Sequence, residues 1–233
     1  MLESLGYKDS LLDTTYYTYI AVMLASHLKI VDLTQYVSLP KIRRDFSQLT
    51  IDPYIREKYR RKHIVRYNID DERNLIKAPH GPLFQSAAFN PVHGNIMREY
   101  PEYHPCEGVL SVIRHFVYST NVQPDEEILV QAQRITCSLD QEGLPSVENW
   151  HQDGVKEIGI FCVSRDNIVG GVSEFRQHGS KMTALSEVLE EGSLAIFTDS
   201  PLEHRVTPIQ VFDTSIGVGF RDVLLLSYPS NRS

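Results

Sequence analysis

"TSIGVGFRDVLLLSY", residues 214–228, is the last of a series of short segments rich in β-branched and aromatic residues. Side chains of a strand alternate between its faces. Ser215, Gly217, Gly219 and Arg221 therefore share one face, and Ile216, Val218 and Phe220 the other. The pattern predicts a strand with one packing face and one face of small residues that ends in an arginine. Asp222 interrupts the packing face, which points to a bulge there. Segments of the same texture precede it: "EILVQAQRITCS" (127–138), "KEIGIFCVS" (156–164), "GVSEFRQ" (171–177), "GSLAIFTD" (192–199) and "EHRVTPIQV" (203–211). Turn formers separate them, as in "DQEGLP", "RDNIVGG", "EEG" and "DSP". Many short strands in succession predict a β-sandwich or jelly-roll barrel rather than a parallel βαβ sheet.

The first half reads differently. In "TYYTYIAVMLASHLKIVDL" (15–33), Tyr17, Ile20, Met23, Leu24, Leu28 and Val31 fall mostly three or four apart, the spacing of a helix face. A second helix is expected near Pro40, because proline suits a first helical turn. The bases of "EKYRRKHIVRY" (57–67) read as a solvated face on a strand. Residues 80–104, rich in Gly, Pro and Asn, read as a long loop or irregular strands. "EGVLSVIRHFVYS" (107–119) carries Leu110, Ile113, Phe116 and Val117 at helical spacing. The expected class is α+β: a double-stranded β-helix (jelly-roll or cupin-like barrel) over 126–228, with a helical and loop flank over 1–125 packed on it in a single domain spanning 1–233.

Composition narrows the function. The 233 residues are 42% hydrophobic and 23% charged, as in an ordinary globular protein, and the net charge is −7. An acidic chain is a poor default binder of nucleic acid or of an anionic membrane. Cys106, Cys137 and Cys162 form no CxxC, which argues against a disulfide framework or a cysteine-based zinc site. The N-terminus lacks the pattern of a secretory signal, and the apolar run "YIAVMLA" is too short to span a bilayer. These features predict a soluble, cytoplasmic protein with no nucleic-acid or membrane partner. The N-terminal helices are free either to cover the barrel or to form the interface of a homo-oligomer.

The chemistry concentrates in "ENWHQDGV" (148–155). A histidine and an aspartate two apart on a strand point to one face, so His151 and Asp153 can address one point. Gly154 lets the chain turn away at once. His204 in "SPLEHRVTPI", 204 − 151 = 53 residues on, is the candidate third ligand. Two histidines and one carboxylate leave open positions on an octahedral ion, as in non-haem Fe(II) oxygenases. A structural zinc site would be closed by four protein ligands. Arg221 offers the planar fork that binds a carboxylate bidentately, with Ser215 beside it.

Several segments in order resemble the 2-oxoglutarate/Fe(II)-dependent dioxygenase family that contains L-isoleucine 4-hydroxylase and related free-amino-acid hydroxylases: "FQSAAFNP" with "MREYP", "QAQRITCS", "HQDGV", "NIVGGVSEF", "DSPLEHRVTPI" and "GFRDVLLLSY". The resemblance covers roughly residues 60–226, judged by motif order. It implies that His151, Asp153 and His204 bind Fe(II) and that Arg221 holds the 5-carboxylate of 2-oxoglutarate. O2 would be the oxidant, with succinate and CO2 released as an aliphatic carbon of a free L-amino acid is hydroxylated. Ascorbate is the expected reductant in vitro. "VEN" before Trp150 and "HGN" after "NP" depart from the family pattern, which bears on substrate identity. Arg134 is a candidate partner of the substrate carboxylate, with Trp150, Gln85 and Asn90 as further candidate pocket residues. Three alternatives stay open: a dioxygenase acting on a peptide, protein, nucleic acid or other small metabolite; a non-catalytic barrel that senses 2-oxoglutarate or a metal; and a zinc or manganese barrel with hydrolytic or decarboxylase chemistry.

Overall fold

Alternation of side chains decides how the strands are used. In β4 (Ile128–Ser138), Ile128, Val130 and Ala132 join a core shared with the helices, while Gln131, Gln133 and Ile135 line the barrel interior. β12 (Val218–Tyr228) does the same: Leu224, Leu226 and Tyr228 join that core, and Arg221, Val223 and Leu225 line the interior. The computed structural model describes residues 22–230 apart from 93, 125 and 148.

The other strands are β1 (Leu28–Asp32), β2 (Arg60–Ile69), β3 (Leu75–Lys77), β5 (Glu157–Asp166), β6 (Ile168–Gly170), β7 (Ser173–Gln177), β8 (Leu185–Glu187), β9 (Ser193–Thr198), β10 (Leu202–Val206) and β11 (Ile209–Val211). A seven-stranded antiparallel sheet runs β1-β9-β5-β12-β4-β2-β3. A three-stranded sheet, β10-β7-β8, and a two-stranded one, β11-β6, complete a jelly-roll fold of α+β class. The helices α1 (Leu39–Phe46) and α2 (Glu107–Ser119) cover the large sheet through Ile42, Phe46, Val112, Ile113 and Phe116. Each such side chain contributes about 1.5–3 kcal/mol on burial. α1 starts beside Pro40, as its sequence predicts. Among the described residues, no helix is long and apolar enough to cross a membrane.

Several expectations are corrected. The first helical pattern ends at residue 27, and Leu28–Asp32 pairs instead with β9, Leu28 opposite Phe197. The run of β-branched Ile30 and Val31 suits an edge strand, and spacings of three and four over so few residues do not exclude one. Tyr17 and Ile20 lie outside the described residues. β1, β2 and β3 belong to the large sheet, so the sheet is not confined to residues after 125. The bases of β2 do not form a solvated face: Arg60, Lys62 and Arg66 are 7%, 3% and 1% exposed. "TSIGVGFRD" enters its strand only at Val218, and Ile216 and Val218 are exposed rather than packed. The irregularity expected at Asp222 is present. Asp222 faces Ser164 and Val223 faces Cys162, so the extra residue is Val163, on β5.

The "VGG" stretch at the end of β6 shows how closely β6 approaches the chain just before β11. Gly170 has φ +77°, and a Cβ there would lie 2.1 Å from the carbonyl oxygen of Pro208. Both the left-handed backbone and the contact demand glycine. Gly170→Ala is expected to cost about 2 kcal/mol or more, read as a lower urea midpoint with an unchanged slope.

Candidate metal centre and its pocket

His204 sits on β10, and the segment carrying His151 runs antiparallel to it. The two residues exchange backbone hydrogen bonds of 3.1 and 3.0 Å. This places the imidazoles together, with ring centroids 4.3 Å apart. Asp153 completes the group. Its Oδ1 is 3.9 Å from His151 Nε2, and its Oδ2 is 3.8 Å from His204 Nε2. One ligand atom from each residue lies within 4.8 Å of the others, the spacing that a single metal ion spans.

The loop that presents Asp153 is pinned from below. Asp199 accepts backbone N–H groups from Asp153, Gly154 and Val155 at 3.0, 2.7 and 3.2 Å. Gln152 donates to the carbonyls of Asp199 and Leu202. Gly154, at φ +75°, turns the chain away beneath Phe89, as its place after the aspartate suggests. The Asp199 carboxyl is pushed up to about 6, first by burial and then by the charge of Asp153, against the pull of the three N–H donors. His204 is held well below the ordinary imidazole range by burial and by His151, which favours the neutral ring a metal requires. His151 Nδ1 meets the carbonyl of Asn149 at 2.8 Å, which leaves Nε2 for a metal.

Gln85 orients the carboxylate ligand, its Nε2 donating to Asp153 Oδ1 at 3.0 Å. Its oxygen accepts from Asn90 Nδ2 at 2.9 Å and Arg98 Nη2 at 3.2 Å. Arginine has no acceptor, so the amide can face only this way. The cavity bounded by the triad is also lined by Arg60, Lys62, Gln131, Gln133, Arg221 and the apolar Ile158, Ile160 and Val223.

Arg221 therefore lies where strand parity puts it, facing the cavity, and Gln85 and Asn90 line it. Three other candidates lie elsewhere. Arg134 forms a two-pronged ion pair with Asp222, both bonds 2.7 Å, on the opposite face of β4. Gln133, one residue earlier, faces the cavity instead, because the helices cover the even-numbered side of the strand as far as Ala132. Ser215 is exposed in a turn and bonds Asp213. Trp150 is flanked by the guanidinium groups of Arg176 and Arg205, 4.4 and 4.6 Å from its ring, and does not line the cavity but a second depression on the other side of His151, with Phe89 and His178. Arg205 itself is committed to Glu174.

Residues 43–227 match the profile of the family described as 2OG-Fe dioxygenase. The chain belongs to that family. Fe(II), 2-oxoglutarate and O2 are the groups that this 2OG-Fe dioxygenase family uses, and the residues present fit the first two. The triad supplies two neutral nitrogens and one carboxylate, and the buried Nε and Nη2 of Arg221 have no acceptor within the protein. Solved structures share the fold at low identity. A bsmA homolog from Methylobium petroleophilum PM1 is 18% identical, with TM-score 0.75 over 91% of this chain and 92% of that one. IDO from Bacillus thuringiensis is 14% identical, with TM-score 0.69 over 92% and 95%. The Fe(II)/α-ketoglutarate-dependent dioxygenase TqaL is 13% identical, with TM-score 0.63 over 93% and 88%. No curated protein sequence matches the chain.

Lys62, Arg98 and Asp199 have no place among the sequence candidates. The signal for Lys62 was its spacing: residues 60, 62 and 64 share a face of one strand, and Ile64 marks that face as interior. Burial first, then the charges of Arg60 and Arg98, hold the Lys62 ammonium well below its ordinary range. The folded state thus binds fewer protons than the unfolded chain between that lowered pKa and the ordinary lysine value. Stability rises with pH through this window, and the full cost of the charge stands below it. Lys62→Met is expected to stabilise the metal-free protein at pH 7 by roughly 1–2 kcal/mol, or about 2–8 °C in Tm, with the gain shrinking towards pH 10. Scanning calorimetry across that range checks both size and slope.

Proposed function

We propose that the chain is a single Fe(II)- and 2-oxoglutarate-dependent dioxygenase domain that hydroxylates an aliphatic carbon of a small carboxylic acid of the amino-acid class. The observation that carries this reading is one cavity bounded by both the His151–Asp153–His204 triad and the unpartnered Arg221 guanidinium. The two histidines and Asp153 would hold Fe(II), and Arg221 would take the far carboxylate of 2-oxoglutarate. The bound metal with 2-oxoglutarate and O2 supplies the oxidising equivalents that convert C–H to C–OH, with succinate and CO2 as the other products.

The protein's own residues set up that chemistry. Gln85 keeps one Asp153 oxygen oriented, so the carboxylate would be held in place to ligate the metal. Ile158, Ile160 and Val223 form an apolar wall that keeps water from a reactive oxidant. The family resemblance supports an amino acid or close derivative as substrate. Lys62 and Arg98 replace Arg134 as candidate partners for its carboxylate, because they face the cavity and Arg134 does not.

The test is succinate release with Fe(II), 2-oxoglutarate and ascorbate against a panel of free amino acids, their N-acyl derivatives and simple carboxylic acids. Stimulation by at least one class is expected, with product heavier by about 16 Da, the mass of one oxygen atom delivered by such an iron site. His151→Ala should lose both Fe(II) retention and turnover. Arg221→Met should raise the KM for 2-oxoglutarate tenfold or more, the loss of about 1.4 kcal/mol of binding. An unchanged 2-oxoglutarate requirement in that variant refutes the Arg221 assignment.

A further inference from the structure

The cavity holds a second cationic patch that the triad and Arg221 do not use. β2 contributes Arg60 and Lys62, and the bridge between Leu83 and Arg98 brings Arg98 beside them. Arg60 is neutralised by the buried Asp52, Nε to Oδ2 2.7 Å. Lys62 and Arg98 have no carboxylate partner among the described residues. The Lys62 ammonium sits over the ring of Tyr100, 4.5 Å from its centroid, and donates no hydrogen bond within the protein. Arg98 gives one N–H to Gln85, while its buried Nε has no acceptor. An uncompensated buried charge is costly, and an anion placed beside Lys62 and Arg98 would offset that cost.

Arg221 enters the cavity from a different strand. In the sheet register, Arg60 faces Ile135 and Ile135 faces Arg221, so β2 and β12 stand two strand spacings, roughly 10 Å, apart. A 2-oxoglutarate reaching from the triad to Arg221 leaves Lys62 and Arg98 facing the rest of the cavity. Beside them stand neutral amides, Gln131 and Gln133, with Gln133 Nε2 donating to Gln131 Oε1 at 3.3 Å. Asp153 is the one acid lining the cavity among the described residues, and it belongs to the triad. An ammonium next to a carboxylate held here would meet cations on β2 and on Arg98. An amide N–H or C=O would meet the glutamines.

We propose that Lys62 and Arg98 form the anion subsite for the substrate, and that the substrate is a small carboxylate of net negative charge whose α-ammonium is acylated or absent. This rests on the dioxygenase reading above and narrows its substrate class. The position of Lys62 on a strand, with the Tyr100 ring beneath its ammonium, fixes the subsite relative to the metal ligands.

The experiment is a charge series on one carbon skeleton. Isothermal titration uses protein loaded with Mn(II) and saturating 2-oxoglutarate under anaerobic conditions, so that binding is read without turnover. The probes are L-leucinamide (+1), L-leucine (0), N-acetyl-L-leucine (−1) and 4-methylpentanoate (−1). The two anions are expected to bind at least tenfold more tightly than L-leucine, and leucinamide not at all. Lys62→Met, expected above to be more stable than the parent, should weaken N-acetyl-L-leucine binding tenfold or more while leaving 2-oxoglutarate affinity within twofold. L-Leucine matching either anion, no binding of either anion, or a Lys62→Met variant that spares the anions or loses 2-oxoglutarate instead would overturn the subsite. A Mn(II)-loaded protein that fails to bind 2-oxoglutarate at all overturns the dioxygenase reading itself, and the subsite with it.

Discussion

The pair of backbone hydrogen bonds between His151 and His204 is the constraint on which the site depends. It joins a loop to a strand 53 residues further along (204 − 151 = 53) and sets both imidazoles at one place before any metal arrives. The loop is then kept in register by a carboxylate that makes no contact with the cavity. Asp199 gathers three consecutive N–H groups, those of Asp153, Gly154 and Val155, and so fixes the direction in which Asp153 leaves the backbone. Gln85, itself held by Asn90 and Arg98, fixes the far end of the same side chain. The ligand set is thus preorganised by hydrogen bonds at both ends, the condition under which a metal site keeps a defined geometry.

The interior of the barrel is unusually cationic for a chain whose net charge is −7. Arg60, Lys62, Arg98 and Arg221 all face it, and one of them, Arg60, has a carboxylate partner among the described residues. Charges in such a place interact more strongly than in water but lose their hydration. The opposite face of the same strands handles charge differently. Arg134 and Asp222 satisfy one another in full, and Arg134 rests over the ring of Phe220. One sheet therefore carries a closed ion pair on one side and open cations on the other. That asymmetry separates an arginine satisfied within the protein from arginines whose donors stay open to the cavity.

Much of the site was legible in the sequence because it rests on local spacing. His151 and Asp153 are two apart, Gly154 follows, and Arg221 lies on the cavity face that alternation assigns it. What failed was the assignment of faces that only tertiary packing decides. Arg134 and Gln133 alternate correctly, yet which of them looks inward depends on where α1 and α2 pack. The bases of β2 read as solvated because charged residues usually are, but Arg60 is paired with Asp52, Arg66 with Glu127, and Lys62 faces the cavity. Ser215 shares the parity of Arg221, but the strand begins only at Val218, so parity there has no structural meaning. Asp199 carried no signal beyond being a turn residue in "TDSP".

The lysine beneath the cavity has a consequence on a longer timescale than binding. On the proposed role, Lys62 would be a cost that the empty fold carries for its substrate, while His151 and Asp153 lie in a loop whose backbone is held by Asp199 and His204. A descendant chain relieved of its substrate but still required to fold would gain by exchanging Lys62 for an apolar residue, and would gain little by exchanging the metal ligands. Among diverging copies of this protein, the residue at position 62 would then record loss of substrate earlier than the triad does.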